Sequence, residues 1–178
     1  MKALFLDRDG VLNNLVSRDG GWFSPRSMDE FYVSEDAVTV LDDFRRQDFT
    51  VFVITNQPDI SRGLLQPEIL SKFHCFLDAQ LGPLEFLVCP HIAEANCDCR
   101  KPKHGLITET YSRFNINISA SWLIGDQVSD IIAGRDAGLK TVLLHSPATL
   151  ASLQRFPHIK SDYETFSLID AYEFISGS

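Results

Sequence analysis

Five short apolar runs divide the chain and predict buried strands. Each run is almost continuously apolar, with little alternation between apolar and polar positions. This pattern is typical of strands that are covered on both faces in a parallel sheet. The predicted strands lie at 3–6, 50–55, 84–88, 121–124 and 141–144.

The segments between these runs carry apolar residues at helical spacing. For example, 67–81 begins with Pro67, which is favoured in a first turn, and stops before Gly82. The predicted helices lie at 35–46, 67–81, 106–114, 128–137 and near 167–175. Strands alternating with helices predict an α/β doubly wound fold, with a mainly parallel sheet and helices on both faces.

Two connections, 10–33 and 88–104, are unusually long. Both leave the carboxyl end of a predicted strand, where α/β folds of this kind bind their ligands. Loops of this length in compact proteins are usually functional or disordered. Because there is no internal repeat or interdomain linker, we expect one domain over 1–178.

The charge balance limits the possible partners. The chain has 24 Asp and Glu against 16 Lys and Arg, a formal net charge of -8. Nucleic-acid binding requires clustered cations, so we expect no nucleic-acid partner, whereas a small anionic substrate is compatible. No apolar run approaches the ~20 residues of a membrane span, and the N-terminus lacks a signal-peptide core. We therefore expect a cytoplasmic monomer without a membrane partner.

The tetrapeptide Asp7-Arg8-Asp9-Gly10 directly follows the first predicted strand. A carboxylate at a strand end can act as a nucleophile. A second one two residues later can protonate a leaving oxygen and then activate water. Taken alone, an ordinary solvated turn explains the motif equally well.

Two polar segments follow later strands. Thr55, Asn56 and Gln57 end the second strand and offer a hydroxyl, two amides and backbone N–H groups to phosphoryl oxygens. Arg100 and Lys101 form a cationic cluster in an acidic protein, and such side chains bind phosphate. Each segment, taken alone, is better explained as a polar turn.

Asp126 follows the fourth predicted strand and can reach the same crevice as Asp7. Two carboxylates, together with water and phosphate oxygens, make a magnesium site. Asp130 lies one helical turn further on and could brace the site, although an exposed helix position explains it equally well.

These four signals occur in order near strand ends, and together they resemble the haloacid dehalogenase-like phosphatase superfamily. The resemblance covers about 3–144 and lacks the insertions of a cap domain, which implies a capless member. It implies magnesium-dependent hydrolysis through an aspartyl-phosphate intermediate. The implied roles are nucleophile for Asp7, acid and base for Asp9, phosphate contacts for Thr55 and Lys101, and magnesium ligands for Asp7, Asp126 and the Asp9 carbonyl.

A cysteine-rich segment predicts a second metal site. Cys89, His91, Cys97 and Cys99 lie within eleven positions of a chain expected in a reducing compartment, where metal is favoured over disulfides. Three thiolates and one imidazole form the ligand set of a closed structural zinc site. A chance grouping is the weaker alternative.

With this loop included, the motifs resemble the histidinol-phosphatase and heptose-bisphosphatase group. The segment 60–63, Ile-Ser-Arg-Gly, favours the heptose branch, which implies removal of the 7-phosphate of a heptose 1,7-bisphosphate in lipopolysaccharide synthesis. Arg100 is then the candidate contact for the distal phosphate, with Arg18 and Arg26 as further candidates.

Two departures keep alternatives open. Pro58 and Asp59 replace the usual Ser-Gly, and the five-residue gap between His91 and Cys97 resembles the histidinol phosphatases. Hydrolysis of histidinol phosphate or another small sugar phosphate is therefore the alternative reaction. A zinc-stabilised binding module without turnover is the rival from another class.

Overall fold

The computed structural model describes residues 1–178 and is built on one six-stranded sheet. The strands are β1 Lys2–Leu6, β2 Val16–Arg18, β3 Gly21–Phe23, β4 Phe49–Asn56, β5 Glu85–Cys89, β6 Trp122–Gly125, β7 Lys140–Leu144 and β8 Tyr163–Thr165. Six of them form the sheet in the order β5-β4-β1-β6-β7-β8, and every neighbouring pair is parallel. β2 and β3 form a separate antiparallel hairpin.

Seven α-helices connect these strands. They are α1 Glu35–Arg46, α2 Pro58–Ser61, α3 Pro67–Leu81, α4 Gly105–Arg113, α5 Val128–Asp136, α6 Thr149–Arg155 and α7 Leu168–Ser176. None of them has the length and apolar character that crossing a bilayer requires.

Successive residues of the central strand face two different cores. Leu4 and Leu6 belong to a large apolar cluster that includes residues of α1, α3 and α7. Ala3 and Phe5 face a smaller cluster, to which α4 contributes Ile107 and α5 contributes Ala133. Because each fully buried apolar side chain contributes about 1.5–3 kcal/mol, both faces of the sheet stabilise the fold. The predicted doubly wound architecture is confirmed.

The prediction missed five short strands and α-helices. The five predicted strands and five predicted helices are present, with ends shifted by a residue or two. The hairpin β2–β3, strand β8, and helices α2 and α6 were not expected. Each is only three to seven residues long, too short for a period of two or 3.6 to stand out.

The sheet brings the polar segments of the sequence to one edge. Because all six strands are parallel, their carboxyl ends meet on the same side of the molecule. Asp7 follows β1, Gln57 follows β4, Pro90 follows β5 and Asp126 follows β6. β1 is central, with β4 on one side and β6 on the other, so the adjacent strand ends form one crevice around Asp7.

Candidate active site

Three carboxylates meet around a buried lysine at the centre of this crevice. Asp7, Asp126 and Asp130 each present an oxygen within 4.8 Å of the others. Lys101 Nζ lies 2.9 Å from Asp7 Oδ1 and 2.6 Å from Asp130 Oδ1, and it donates to the carbonyl of Ile54 at 2.8 Å. The lysine is thus fixed as a positive charge beside Asp7.

The charges of this cluster are strongly coupled. Burial, aided by repulsion from Asp130 and Asp9, raises the pKa of Asp7 to about 7 although Lys101 opposes the shift. Burial and the charges of Asp7 and Asp130 also raise the pKa of Asp126. Burial alone would lower the pKa of Lys101, but the two aspartates beside it outweigh burial and raise it. Three carboxylates around one ammonium leave an excess of buried negative charge, and a bound divalent cation would neutralise it.

Asp7 presents one free oxygen to the crevice. Its Oδ1 accepts a hydrogen bond from the backbone N–H of Arg8 at 2.7 Å and also contacts Lys101. Its Oδ2 accepts no hydrogen bond from the protein, and the side chain lines the cavity described below. One oxygen therefore orients the carboxylate while the other is available for reaction.

Gly10 allows the first loop to pass close to Asp126. Its φ of +85° is a conformation that side chains other than glycine rarely adopt. A Cβ atom at this position would collide with the carboxylate of Asp126. Gly10 therefore allows the loop after β1 to lie against Asp126, which follows β6.

Asp9 is held by four polar side chains that converge on its carboxylate. Arg8 donates from Nη2 to both oxygens at 2.9 Å, and Asn13 donates from Nδ2 to Oδ1 at 2.8 Å. Ser24 and Gln57 donate to Oδ2 at 2.9 Å and 2.6 Å. Two of these donors, Asn13 and Ser24, belong to the loop 10–33, so the long first loop is part of the site.

The partner of Asp9 is an unusually buried arginine. Arg8 has no exposed surface, and its guanidinium lies 5.4 Å and 5.9 Å from the ring centres of Phe73 and Phe31. Burial would raise the pKa of Asp9, but the Arg8 charge and the hydrogen bonds from Asn13 and Gln57 outweigh burial and lower it. Asp9 is therefore ionised in this conformation.

The segment after β4 positions other site residues. The Asn56 amide donates to the Lys101 carbonyl at 3.0 Å and accepts from the Lys101 N–H at 3.1 Å. The Gln57 amide donates to Asp9 and to the hydroxyl of Thr55, at 2.6 Å and 2.8 Å. Both amides thus hold other site residues in position. The phosphate-binding role expected for these two side chains stays a prediction.

Two hydroxyls from the chain beyond β7 support Asp126. Ser146 Oγ donates to Asp126 Oδ2 at 2.6 Å, and Thr149 Oγ1 donates to the Asp126 carbonyl at 2.7 Å. Asp130 accepts the backbone N–H of Gln127 at 2.9 Å, which caps α5 and fixes the same turn. The residues after 144 thus contribute to the site, which the sequence pattern had not indicated.

A cavity of about 870 Å³ opens above the cluster. The hairpin β2–β3 supplies one wall through Trp22 and Phe23, whose exposures are 44% and 41%. Arg100 lines the cavity as expected, whereas Arg18 and Arg26 do not. Arg18 is paired with Glu30, and Arg26 Nε lies 2.7 Å from the buried carboxylate of Asp59. Both guanidinium groups are therefore engaged with carboxylates of the protein and do not line this cavity.

The cysteine-rich loop brings its four predicted ligands together. The Sγ atoms of Cys89 and Cys97 are 3.6 Å apart, and those of Cys97 and Cys99 are 3.4 Å apart. His91 Nδ1 lies 3.7 Å from Cys89 Sγ and 3.4 Å from Cys99 Sγ. None of the four cysteines of the chain forms a disulfide. Ligands of a tetrahedral zinc ion with ~2.3 Å bonds lie about 3.8 Å apart, close to these separations.

The comparisons with known proteins agree with this geometry. A family model described as HAD-hydrolase-like matches residues 98–171. The D-glycero-beta-D-manno-heptose-1,7-bisphosphate 7-phosphatase of Neisseria meningitidis serogroup A is 32% identical over 165 residues, which cover 89% of this chain and 84% of that protein. The enzyme of the same name from Pasteurella multocida is 30% identical, with 80% of each chain covered. This chain belongs to the haloacid dehalogenase-like family.

A solved structure supports the membership across the whole chain. The D,D-heptose 1,7-bisphosphate phosphatase from B. bronchiseptica, crystallised with magnesium and phosphate, matches with a TM-score of 0.85 and 26% identity. The match covers 99% of both chains. The family's architecture therefore extends through α6 and α7, beyond the region that the motifs cover.

The sequence did not predict several residues that support Asp9 and Asp126 in this family member. Arg8 stands inside the first motif, and an arginine between two aspartates is a signal that could have revealed the ion pair. Asn13 and Ser24 lie in a loop without periodicity, and Ser146 and Thr149 lie outside every motif. The roles of these last four residues depend on tertiary contacts, for which the sequence offers no local signal.

Proposed function

We propose that this family member is a magnesium-dependent phosphatase that forms an aspartyl phosphate on Asp7. The observation that carries the proposal is the free Asp7 Oδ2 beside the fixed ammonium of Lys101 and the carboxylates of Asp126 and Asp130. A nucleophile, a fixed cation and a group of metal-ligand carboxylates are the parts that transfer of a phosphoryl group requires.

In the first step, Asp7 Oδ2 attacks phosphorus and the bond from phosphorus to the sugar oxygen breaks. Asp9 gives its proton to the leaving oxygen. In the second step, Asp9 accepts a proton from water, the water oxygen bonds to phosphorus, and the bond to Asp7 breaks. Inorganic phosphate leaves and Asp7 is regenerated as a carboxylate.

Asp9 must change protonation state between these steps. In the free protein Arg8 and its other partners keep it ionised, which is the form that activates water. A phosphoryl dianion close to Asp9 raises its pKa and favours the protonated form needed for the first step. Arg8, Asn13 and Gln57 hold the carboxylate in place in both forms.

The group of buried carboxylates fits magnesium. Mg²⁺ prefers oxygen ligands and is usually held by one or two carboxylates, with water and phosphate completing its shell. Asp7, Asp126 and the Asp9 carbonyl are the proposed ligands, and Asp130 braces them through Lys101. Magnesium bound there would neutralise charge on the phosphoryl oxygens. Lys101, as a fixed positive charge, and the O–H of Thr55 are the proposed protein contacts to the same oxygens.

The cysteine-rich loop fits a structural zinc ion, with Cys89, His91, Cys97 and Cys99 as ligands. All four positions are filled by protein, which leaves none for a reacting water and is typical of a structural site. Arg100 Nη1 donates to the carbonyl of His91 at 3.0 Å, so the loop also fixes the arginine at the cavity. The proposed role of zinc is to order 89–103 and thereby Arg100 and Lys101.

The proposed substrate is a heptose 1,7-bisphosphate, from which the 7-phosphate is removed. The names of the Neisseria and Pasteurella relatives support this choice, as does a cavity large enough for a sugar with two phosphates. Arg100 is the proposed contact for the distal phosphate. We further propose that one domain, residues 1–178, carries the activity.

A substrate panel tests the function. Phosphate release should be measured with magnesium on heptose 1,7-bisphosphate, heptose 7-phosphate, histidinol phosphate and other small sugar phosphates, with Asp7→Asn protein as the blank. The bisphosphate should give the highest kcat/KM, and ³¹P spectra should show loss of the 7-phosphate.

Two outcomes would overturn parts of this proposal. Preference for histidinol phosphate would assign the alternative reaction, which the short His91–Cys97 gap also suggests. A folded, metal-loaded protein that hydrolyses none of the panel would favour the binding module without turnover.

A further inference from the structure

Four cationic side chains line the cavity, but only two of them lack an acidic partner. Lys101 and Arg62 are each paired with aspartates that also line the cavity. Arg100 and Arg155 line the same cavity and form no ion pair with any carboxylate of the chain. These two guanidinium groups are therefore available for an anionic ligand.

Arg155 is the last residue of α6, a helix fastened directly to the catalytic turn. Ser152 Oγ accepts the backbone N–H of Val128 at 2.8 Å, and Thr149 on the same helix donates to the Asp126 carbonyl. Two hydrogen bonds therefore tie α6, which ends at Arg155, to the turn that carries Asp126.

The guanidinium of Arg155 is free to donate. It makes no hydrogen bond within the protein, and it lies 5.3 Å from the ring centre of Phe156, another residue of the cavity wall. Arg100 differs, since one of its nitrogens already donates to the His91 carbonyl. An unpaired guanidinium beside an aromatic ring keeps its planar fork available for bidentate contact with phosphate.

The sheet order separates the two free arginines. Arg100 follows β5 and Arg155 follows β7, and these strands lie on opposite sides of β1. Five aspartates line the cavity, at positions 7, 9, 59, 126 and 130. A second phosphate of a bound substrate is repelled by these carboxylates and attracted by the free arginines.

We propose that Arg155 forms a subsite for the distal phosphate of a sugar bisphosphate, on the α6 side of the cavity. The inference rests on the proposed function, because it requires a substrate whose other phosphate reacts at Asp7. It assigns substrate recognition to the region after 144 and adds to the cavity a second free guanidinium, on the other side of β1 from Arg100.

The test compares wild type, Arg155→Ala and Arg155→Lys on heptose 1,7-bisphosphate and on heptose 7-phosphate, which lacks the distal phosphate. Arg46→Ala is the charge-matched control, because Arg46 is an exposed residue of α1 outside the cavity. Arg155→Ala should raise KM for the bisphosphate roughly 10–150-fold, the range for a charge-assisted contact. KM for the monophosphate should change less than about threefold. Arg155→Lys should restore much of the affinity for the bisphosphate. In ~1 M salt the difference in KM between wild type and Arg155→Ala should become smaller.

The outcomes separate this inference from the function on which it rests. If wild type hydrolyses the bisphosphate and Arg155→Ala either matches it or loses equally on both substrates, the subsite is overturned and the phosphatase proposal stands. If wild type hydrolyses the bisphosphate no better than the monophosphate, the bisphosphate preference fails and the subsite fails with it.

Discussion

The two groups of candidate metal-ligand side chains are assembled in opposite ways. Asp7 and Asp126 come from the ends of two adjacent strands that are far apart in sequence, and the six-stranded sheet sets their separation. Cys89 ends the edge strand β5, and Cys97 and Cys99 lie in the loop that follows it. The first group is held by the fold, whereas the second is held mainly by its own short segment.

This difference predicts different responses to loss of a cation. The aspartate cluster lies at the end of a sheet with apolar cores on both faces, so we expect its geometry to persist without a bound cation. The cysteine-rich loop contains one short 3-10 turn, Ala93–Ala95, and few other backbone bonds. Metal binding and folding of such a loop are coupled. Removing magnesium should therefore abolish chemistry and leave the fold, whereas removing zinc should loosen structure first.

The largest effect is expected for Asp7→Asn, which should reduce turnover to the background because an amide cannot form the acyl phosphate. The fold should persist, and the metal-free variant should unfold at the same or a higher temperature, since repulsion among buried carboxylates is relieved. Phosphate release and thermal unfolding measure the two effects, with Asp42→Asn on the exposed face of α1 as the control. Turnover above contamination would rule out Asp7 as the nucleophile.

The next largest effect is expected for Asp9→Asn. Loss of acid and base assistance should reduce kcat about 10²–10⁴-fold. The loss should be smaller for substrates with a good leaving group such as p-nitrophenolate, which needs no proton. Comparing kcat/KM, which reports the steps up to departure of the leaving oxygen, for p-nitrophenyl phosphate and a sugar phosphate measures the difference. Equal losses on both substrates would contradict the proposed proton transfer to the leaving oxygen.

The sequence was informative where a signal is local. Almost continuous apolar runs predicted the five main strands. Spacing alone predicted that three cysteines and His91 form a group of candidate metal ligands, and the structure brings their ligand atoms within 4.8 Å of one another. Asp7 and Asp126 could be placed together because parallel strands present their carboxyl ends on one edge. That inference needed only the type of sheet and no atomic detail.

The sequence was uninformative where a contact depends on packing. No sequence signal near Gln57 indicates that its amide donates to Asp9. Likewise, no signal near Arg26 indicates its ion pair with Asp59. Polar side chains in irregular loops have many possible partners, and their choice depends on the positions of distant segments. For the same reason Arg155, on an unpredicted helix, could not be assigned from its neighbours in sequence.

A third prediction concerns Arg100, which belongs to the cysteine-rich loop and also lines the cavity. Arg100→Ala should lower kcat/KM for the bisphosphate roughly 10–150-fold and spare heptose 7-phosphate. Zinc content should remain unchanged, since the side chain contacts the His91 carbonyl and no ligand atom. Steady-state kinetics and elemental analysis decide the matter, with Lys103→Ala as a control outside the cavity. Equal losses on both substrates would exclude a distal-phosphate role.

The smallest effect on chemistry, and the largest on local order, is expected for Cys97→Ser. The variant should lose zinc and show faster amide exchange over 89–103, while β1 and β6 remain protected. Its kcat at 25 °C should fall only about tenfold, because Lys101 also holds Asp7, Asp130 and the Ile54 carbonyl independently of the loop. Each lost kcal/mol of stability should lower Tm by about 2–4 °C.

Cys75→Ser is the matched control, because Cys75 is an exposed thiol on α3 outside the cluster. This variant should keep the zinc content, Tm and activity of the wild type. Any change seen only in Cys97→Ser can then be assigned to loss of a zinc ligand and not to loss of a cysteine in general. If Cys97→Ser keeps full zinc content and unchanged exchange in the loop, the site does not bind as proposed. If Cys97→Ser abolishes turnover while the loop stays ordered, zinc takes part in the reaction. The proposed difference between a structural and a catalytic metal site is then wrong.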